Sequence, residues 1–452
     1  MKQKFAVLIV VAQWLVASAS SPADAQTLAF PGAEGFGAKT PGGRGGTIIR
    51  VTNLNSSGAG SLRYACTRAF PRIVVFDVGG TITLDKDIRI DEPFITIAGQ
   101  TAPGDGIMIR GASIRIAAND VVIRGLRVRV GDLPGPDPKN RDGFTVENSD
   151  NIIIDHCSVT WGLDENIATW STSDNITIQW CLIAENILTD QGAGFPNQSY
   201  GILIGDHGKH ISVHHNLMAH HNERHPRINN DTITEVVNNV VYNWKNAGTD
   251  ISGDTFVNVI KNYYKPGPNT AADKKGIRLR NESNTEIYVK GNVGPGRLTD
   301  SGDEWNAVDG DQQYQTLSPA TSPSGITEQA AVEAFDLVLD NVGALAPVRD
   351  TVDARIVQSV REGTGKIIGS QDEVGGWPTF ASGTPPVDSD GDGMPDAWET
   401  DHNLDPNDAG DGHQDQDGDG YTNVEEYLNS LIPMPGLADA TPPAPPHNLK
   451  VN

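Results

Sequence analysis

From Phe94 onward the chain repeats one pattern: a short apolar strand, a small or polar residue, and a second short strand. The clearest copies are NIIIDHCSV from Asn151, NITIQWCLI from Asn175, HISVHHNLM from His210, ITEVVNNVV from Ile233, FVNVIKNYY from Phe256 and EIYVKGNVG from Glu286. Their starts lie 24, 35, 23, 23 and 30 residues apart, a spacing that fits one coil of a solenoid with insertions on particular turns. The seventh position of the copies reads Cys157, Cys181, Asn216, Asn239, Asn262 and Asn292. Equivalent positions of a parallel β-helix stack about 4.8 Å apart, so the asparagines predict an internal hydrogen-bonded ladder with the two cysteines at its upstream end. A β-sandwich also has short strands, but it does not call for an asparagine on every coil. The pattern predicts an all-β, parallel β-helix.

Two segments break the β pattern. Thr327 is placed to cap a helix with Val332, Phe335, Leu339 and Val342 on one face, and a second helix from about Asp350 to Glu362 aligns Val352, Ile356, Val357 and Val360. Both are expected to pack over the side or end of the solenoid and cover an exposed edge. Residues 29–63 read as an extended lead-in with tight turns, since no strand-turn-helix follows its glycines.

After Gly375–Pro386 the composition changes. Asp388, Asp390, Asp392, Asp396 and Glu399 fall at positions 1, 3, 5, 9 and 12 of a D-x-D-x-D-G-x5-E loop, and Asp415, Asp417, Asp419, Asn423 and Glu426 repeat the arrangement. Calcium needs several hard oxygens converging, and the glycine supplies the sharp turn. Two copies in order, each followed by a helix-like stretch, predict paired structural calcium sites. The expected organisation is a signal peptide over 1–25, a β-helix domain over 26–372 that includes the helices of about 327–362, a linker over 373–387, paired EF-hand-like loops over 388–432 and a proline-rich tail over 433–452.

The signal-peptide reading rests on Lys2 and Lys4, the apolar run Phe5–Val16 and the small-residue site Ala23-Asp24-Ala25; that run is too short to span a bilayer. A secreted protein without a membrane anchor is expected, acting as a monomer. The formal charge of −24 argues against nucleic acid as a partner. Fifteen acidic residues and no Lys or Arg lie between Asp388 and Asp439, and the remainder of the chain carries only −9. Cys66, Cys157 and Cys181 form neither a disulfide framework nor a metal motif. They read as buried small apolar residues, with a Cys157–Cys181 bond left open by their adjacent ladder positions.

Basic and imidazole groups concentrate between His207 and Asn230, which holds seven of the eleven histidines and ends on Arg224, His225, Pro226 and Arg227. Arg224 follows the His210 repeat start by fourteen residues, and Asp164 follows the Asn151 start by thirteen. Both therefore emerge from one edge of the solenoid two coils apart, or about 10 Å. Adjacent residues on a strand face opposite ways, so one member of each pair His214/His215 and His220/His221 is expected to line a groove and the other to lie inside the coil. A zinc site is the rival reading of these histidines, without an evident ligand geometry.

The stretches AFPGAEGFG…GGRGG, VVFDVGGTI, GQTAPGDGI, DHCSVTWGLDE, the R-x-P-R of Arg224–Arg227, and VVYNW resemble the pectate lyases of polysaccharide lyase family 1, and in particular the secreted fungal pectate lyase C group. The likeness covers roughly residues 29–400. It implies a right-handed, single-stranded parallel β-helix and calcium-dependent β-elimination of de-esterified homogalacturonan. It further implies that Arg224 is the catalytic base and that Arg227 binds a substrate carboxylate. His225 and Lys209 are further expected substrate contacts. Asp142, Asp164 and Glu165 are the expected ligands of a catalytic calcium ion. The family's further arginine is Asn229 here, its substrate-binding lysine is replaced by Tyr200, and the second carboxylate four residues after Asp164 is Ala168, for which Glu165 substitutes. Two rivals remain: a pectin hydrolase using Asp155 and Asp164 as its carboxyl pair, and a glycan-binding solenoid without catalysis.

Overall fold

The computed structural model describes residues 27–134, 140–189, 198–280 and 284–432; the signal-peptide and proline-rich tail expectations lie outside them. Each coil contributes one strand to each of three parallel sheets, of ten, nine and eight strands. The chain is a right-handed parallel β-helix, as expected. Inward positions stack by residue type: Ile154, Ile178, Val213, Val236, Val259 and Val289 pair in one column. Five of them are wholly buried and Val289 nearly so, each contributing about 1.5–3 kcal/mol.

The corner before the ladder explains why the copies align. Gly125, His156, Trp180, His215, Asn238, Lys261 and Gly291 all take positive φ at this corner. The next residue then turns inward. Asn216, Asn239 and Asn262 each donate a side-chain hydrogen bond to the next asparagine's Oδ1, at 3.0, 2.9 and 3.0 Å. The same oxygens accept from the backbone N–H groups of Asn216, Asn239 and Asn262, and Asn216 Oδ1 accepts from that of Cys181. The ladder is present as predicted, and all three cysteines are buried free thiols.

Helix α1, Leu62–Cys66, buries Leu62, Ala65 and Cys66 against the first coils. The expected helix pair is present as α2, Ala331–Asn341, and α3, Thr351–Glu362. Their packing corrects two expectations. Ala330, not Thr327, precedes α2; the Thr327 hydroxyl instead donates to the Glu34 carboxylate, and Val332 faces solvent. The pair also covers a face and not an edge: Val338, Leu339, Ile356 and Val360 pack on Leu182, Leu217, Val240 and Tyr242 of the eight-stranded sheet and on Trp161 just beyond one of its strands. Asp350 caps α3 and, with Asp353, holds the buried Arg129 at 2.6 and 2.8 Å.

The lead-in lies along the ten-stranded sheet, where Gly37 and Phe36 donate backbone hydrogen bonds to Thr177 and Ser212. At Gly43 any Cβ would stand 1.8 Å from the Arg72 carbonyl, so only glycine permits this approach. The stretch read as a linker is pinned to the wall: Trp377 donates to the Arg129 carbonyl, and Ala381 and Asp105 exchange hydrogen bonds. Beyond it come α4, Asp396–Asp401, and α5, Asn423–Ser430. Met394, Val424 and Leu428 dock on Ile73, Val75 and Ala98, while Arg44 pairs with Glu425 and Arg124 donates to Asn429.

Candidate active site

The nine-stranded sheet carries a groove of about 360 Å³, lined by Trp170, Tyr200, Leu203, Glu223, Arg224, Arg227, Asn229 and Arg280. Two rows of the sheet build it. Glu165 pairs with Tyr200, which bridges to Glu223; three residues along, Ala168, Leu203, Arg227, Asp250 and Arg278 follow one another coil by coil.

Arg224 sits at φ +72°, the left-handed conformation that recurs at the turns of this solenoid. Hydrogen bonds from Ile202 N to its carbonyl and from His225 N to Gly248 O hold that turn. The guanidinium lies 3.6 Å from the centre of the Tyr200 ring and contacts the Glu165 carboxylate directly, while its Nε has no partner among the described residues. The two coils between Arg224 and Glu165 are closed by this contact, where a separation of about 10 Å was expected between Arg224 and Asp164. Burial pushes Arg224 down to about 10, and the charge of Arg227 adds to this against the pull of Asp164, Asp250 and Asp142.

Oxygens of Asp142, Asp164 and Glu165 lie within 4.8 Å of one another. Asp142 accepts from the Glu165 backbone and from Thr145. Burial pushes the carboxyls of Asp142 and Asp164 upward. Three converging hard oxygens suit a calcium ion, although Glu165 is claimed at the same time by Arg224.

Arg227 spans Asp250 and Ser252 at 3.3 and 3.2 Å. Arg278 and Arg280 converge on the same Asp250. Burial opposes the charge of Asp250, but hydrogen bonds and charge from Arg278 and Arg280 outweigh it and keep the carboxylate below its ordinary range. Arg280, Glu223, Asp250 and Trp170 were not singled out from sequence. The spacing of Arg278 and Arg280 two coils after Arg227 would have found the cations once the register of this sheet was known.

Several expected contacts lie elsewhere. Lys209 begins a strand of the ten-stranded sheet and pairs with Asp231 at 2.7 Å, away from the groove. His225 is wholly buried. It belongs to an internal chain in which Asn166 bonds His221, His221 bonds His225, and His225 bonds the Ala247 carbonyl. His214, His215, His220 and His221 are all buried as well, and none lines the groove. His215 stacks on Trp180 at 4.5 Å and bonds Gln329; His220 bonds Ser359 of α3. Asp155 is buried against Arg124 and His156, so the hydrolase pair with Asp164 does not span the groove.

In the C-terminal loops the carboxylates Asp388, Asp390 and Asp392, and then Asp415, Asp417 and Asp419, converge as expected. The ninth positions do something else. Both Asp396 oxygens accept from Ser389, and the Asn423 amide bonds Gln416 N and Asp411 O.

No protein-family model matches the sequence. Among curated relatives, the chain is 38% identical over 422 residues to probable pectate lyase C of Aspergillus terreus, covering 90% of this chain and 94% of that protein. It is 37% identical over 421 residues to probable pectate lyase C of Emericella nidulans, covering 90% and 93%. Among solved structures, a thermostable pectate lyase superposes with a TM-score of 0.53 at 17% identity, covering 69% of this chain and 97% of the other. A Bacillus pectate lyase in complex with trigalacturonate superposes with a TM-score of 0.51 at 17% identity, covering 69% and 98%. A parallel β-helix with these relatives is a polysaccharide lyase. The chain belongs to the pectate lyase C family.

Proposed function

We propose that the enzyme cleaves polygalacturonate by β-elimination, with Arg224 as the base. The observation that carries this is the groove itself. It sets a buried, pKa-lowered guanidinium between a carboxylate cluster and a run of further arginines. Arg227 and Arg280 supply the positive charge for uronate carboxylates. Asp142, Asp164 and Glu165 would hold a calcium ion, which supplies electron withdrawal from the uronate carboxylate and so acidifies the adjacent ring C–H. Arg224 takes that proton; the electron pair forms the ring double bond, and the glycosidic oxygen leaves from the neighbouring carbon. A base with a pKa of about 10 works best in alkaline solution.

The tandem loops of 388–432, docked on the ten-stranded sheet and not on the nine-stranded sheet that carries the groove, are read as structural calcium sites. Among the described residues no helix is long and apolar enough to cross a membrane, and the N-terminal run supports export; the N-terminus of protein recovered from culture medium, expected near Gln26, checks this. The test of the main reading is the product made from polygalacturonate. The reading requires an ultraviolet-absorbing unsaturated uronide that disappears with EDTA and returns with calcium. New reducing ends without that absorbance would establish hydrolysis instead.

A further inference from the structure

Asp411 lies in neither C-terminal loop, at the start of the short turn Asp411–His413, yet its side chain reaches the first. One oxygen each of Asp392, Glu399 and Asp411 lies within 4.8 Å of the other two. These residues are 4%, 0% and 7% exposed. Asp390 Oδ2, Asp392 Oδ2, both Glu399 oxygens and Asp411 Oδ1 have no hydrogen-bond partner among the described residues. Acceptors crowded together out of water, with no donor among them, call for a hard cation.

The backbone is arranged to bring Asp411 there. Gly412 passes so near the loop that a Cβ on it would stand 2.3 Å from Asp392 Oδ2. Asp411 Oδ2 accepts from Asp405 N at 2.9 Å, leaving Oδ1 for the cluster. Its carbonyl accepts from Asn423 Nδ2, at the ninth position of the second loop, at 2.8 Å. Among the described residues the second loop has no such outside carboxylate: Asp415, Asp417 and Asp419 converge and are exposed, and Glu426, with an unpartnered Oε1, comes from the loop itself.

We propose that Asp411 completes the first loop into a calcium site built from two segments, and that the ion there locks residues 388–432 against the first coils. The inference rests on reading the tandem loops as calcium sites. Asp388, the first residue of that loop, pairs with Arg50, which also holds Asp77 of the solenoid. Calcium affinity rises with the number of charged ligands and the rigidity of the site, so the first loop binds more tightly than the second.

The test is calcium titration of the calcium-stripped full chain by calorimetry, with thermal melts at each calcium level, in an Asp164→Asn background that weakens the groove site. Asp411→Asn keeps the shape and an acceptor for Asp405 N–H, and it is expected to weaken the tighter class about tenfold or more. It should also reduce the calcium-dependent rise in Tm, whereas Asp419→Asn should weaken only the looser class. If Glu399→Gln weakens the tight class and Asp411→Asn does not, the role of Asp411 is overturned and the loop reading stands. If neither variant alters binding, both are overturned. Circular dichroism at saturating calcium verifies that each variant is folded.

Discussion

Two carboxylate clusters on this molecule differ in what faces them. In the groove, Asp142, Asp164 and Glu165 are met by Arg224, so the cluster's charge is shared with a cationic side chain. In the first C-terminal loop, Asp392, Glu399 and Asp411 are packed with no such partner among the described residues. Burial, then neighbouring acids, pushes Asp392 up to about 7 and Glu399 up to about 8. The difference separates two uses of one residue type. A cluster balanced by an arginine suits an ion that must be shared with substrate, whereas a cluster balanced by nothing suits an ion that stays.

The largest expected effect breaks the groove side. Arg224→Ala removes the base and should lower kcat about 10³-fold, within the range for general bases, with the melting temperature in calcium little changed. The next falls on the other cluster. EDTA or Glu399→Gln should destabilise the fold, by about 2.7 kcal/mol where calcium stands at a hundred times its Kd; unfolding curves with and without calcium measure it. Asp164→Asn should raise the calcium needed for half-maximal rate about tenfold and leave the melting temperature almost unmoved. A large fall in Tm there would show that the groove cluster is structural too.

The dependence on pH separates the groove from the packed interior in a different way. Burial is the leading cause holding His215 and His220 at about 4 and His225 at about 3, and it lowers His214 and His221 as well. A histidine buried neutral takes up its proton more readily when unfolded, so between about pH 6.5 and 4 the unfolded state binds more protons. Stability is therefore full above about pH 6.5 and falls as pH drops, by up to about 1.4 kcal/mol per unit for each such histidine. Activity should instead fall from alkaline pH downward as Arg224 gains its proton. Melts across pH 4–8 beside a pH–rate profile distinguish the two.

The ladder and the tandem loops were legible in the sequence because each is a fixed spacing of one residue type. Asn216, Asn239, Asn262 and Asn292 occur at one register position, and the aspartates sit at loop positions that calcium dictates. The histidine pairs were misplaced because alternation along a strand fails at a corner: His215 and His220 take φ of +53° and +62°. An outward residue is also not an exposed one where α3 or the segment around Gln329 covers the wall. Arg280 and Asp250 went unnoticed because the third strand of each coil has only two or three residues here, too few to show a period. Asp411 was missed for a related reason: its partner loop ends twelve residues earlier, and only the fold joins them.

Chemical rescue tests the central claim, that the Arg224 guanidine takes the proton, most directly. Arg224→Ala is assayed on polygalacturonate with saturating calcium while guanidine is titrated into the reaction across alkaline pH. The expected variant makes almost no ultraviolet-absorbing product until guanidine is added, which restores it in proportion and more strongly as pH rises. Near-normal turnover in the unsupplemented variant would contradict it.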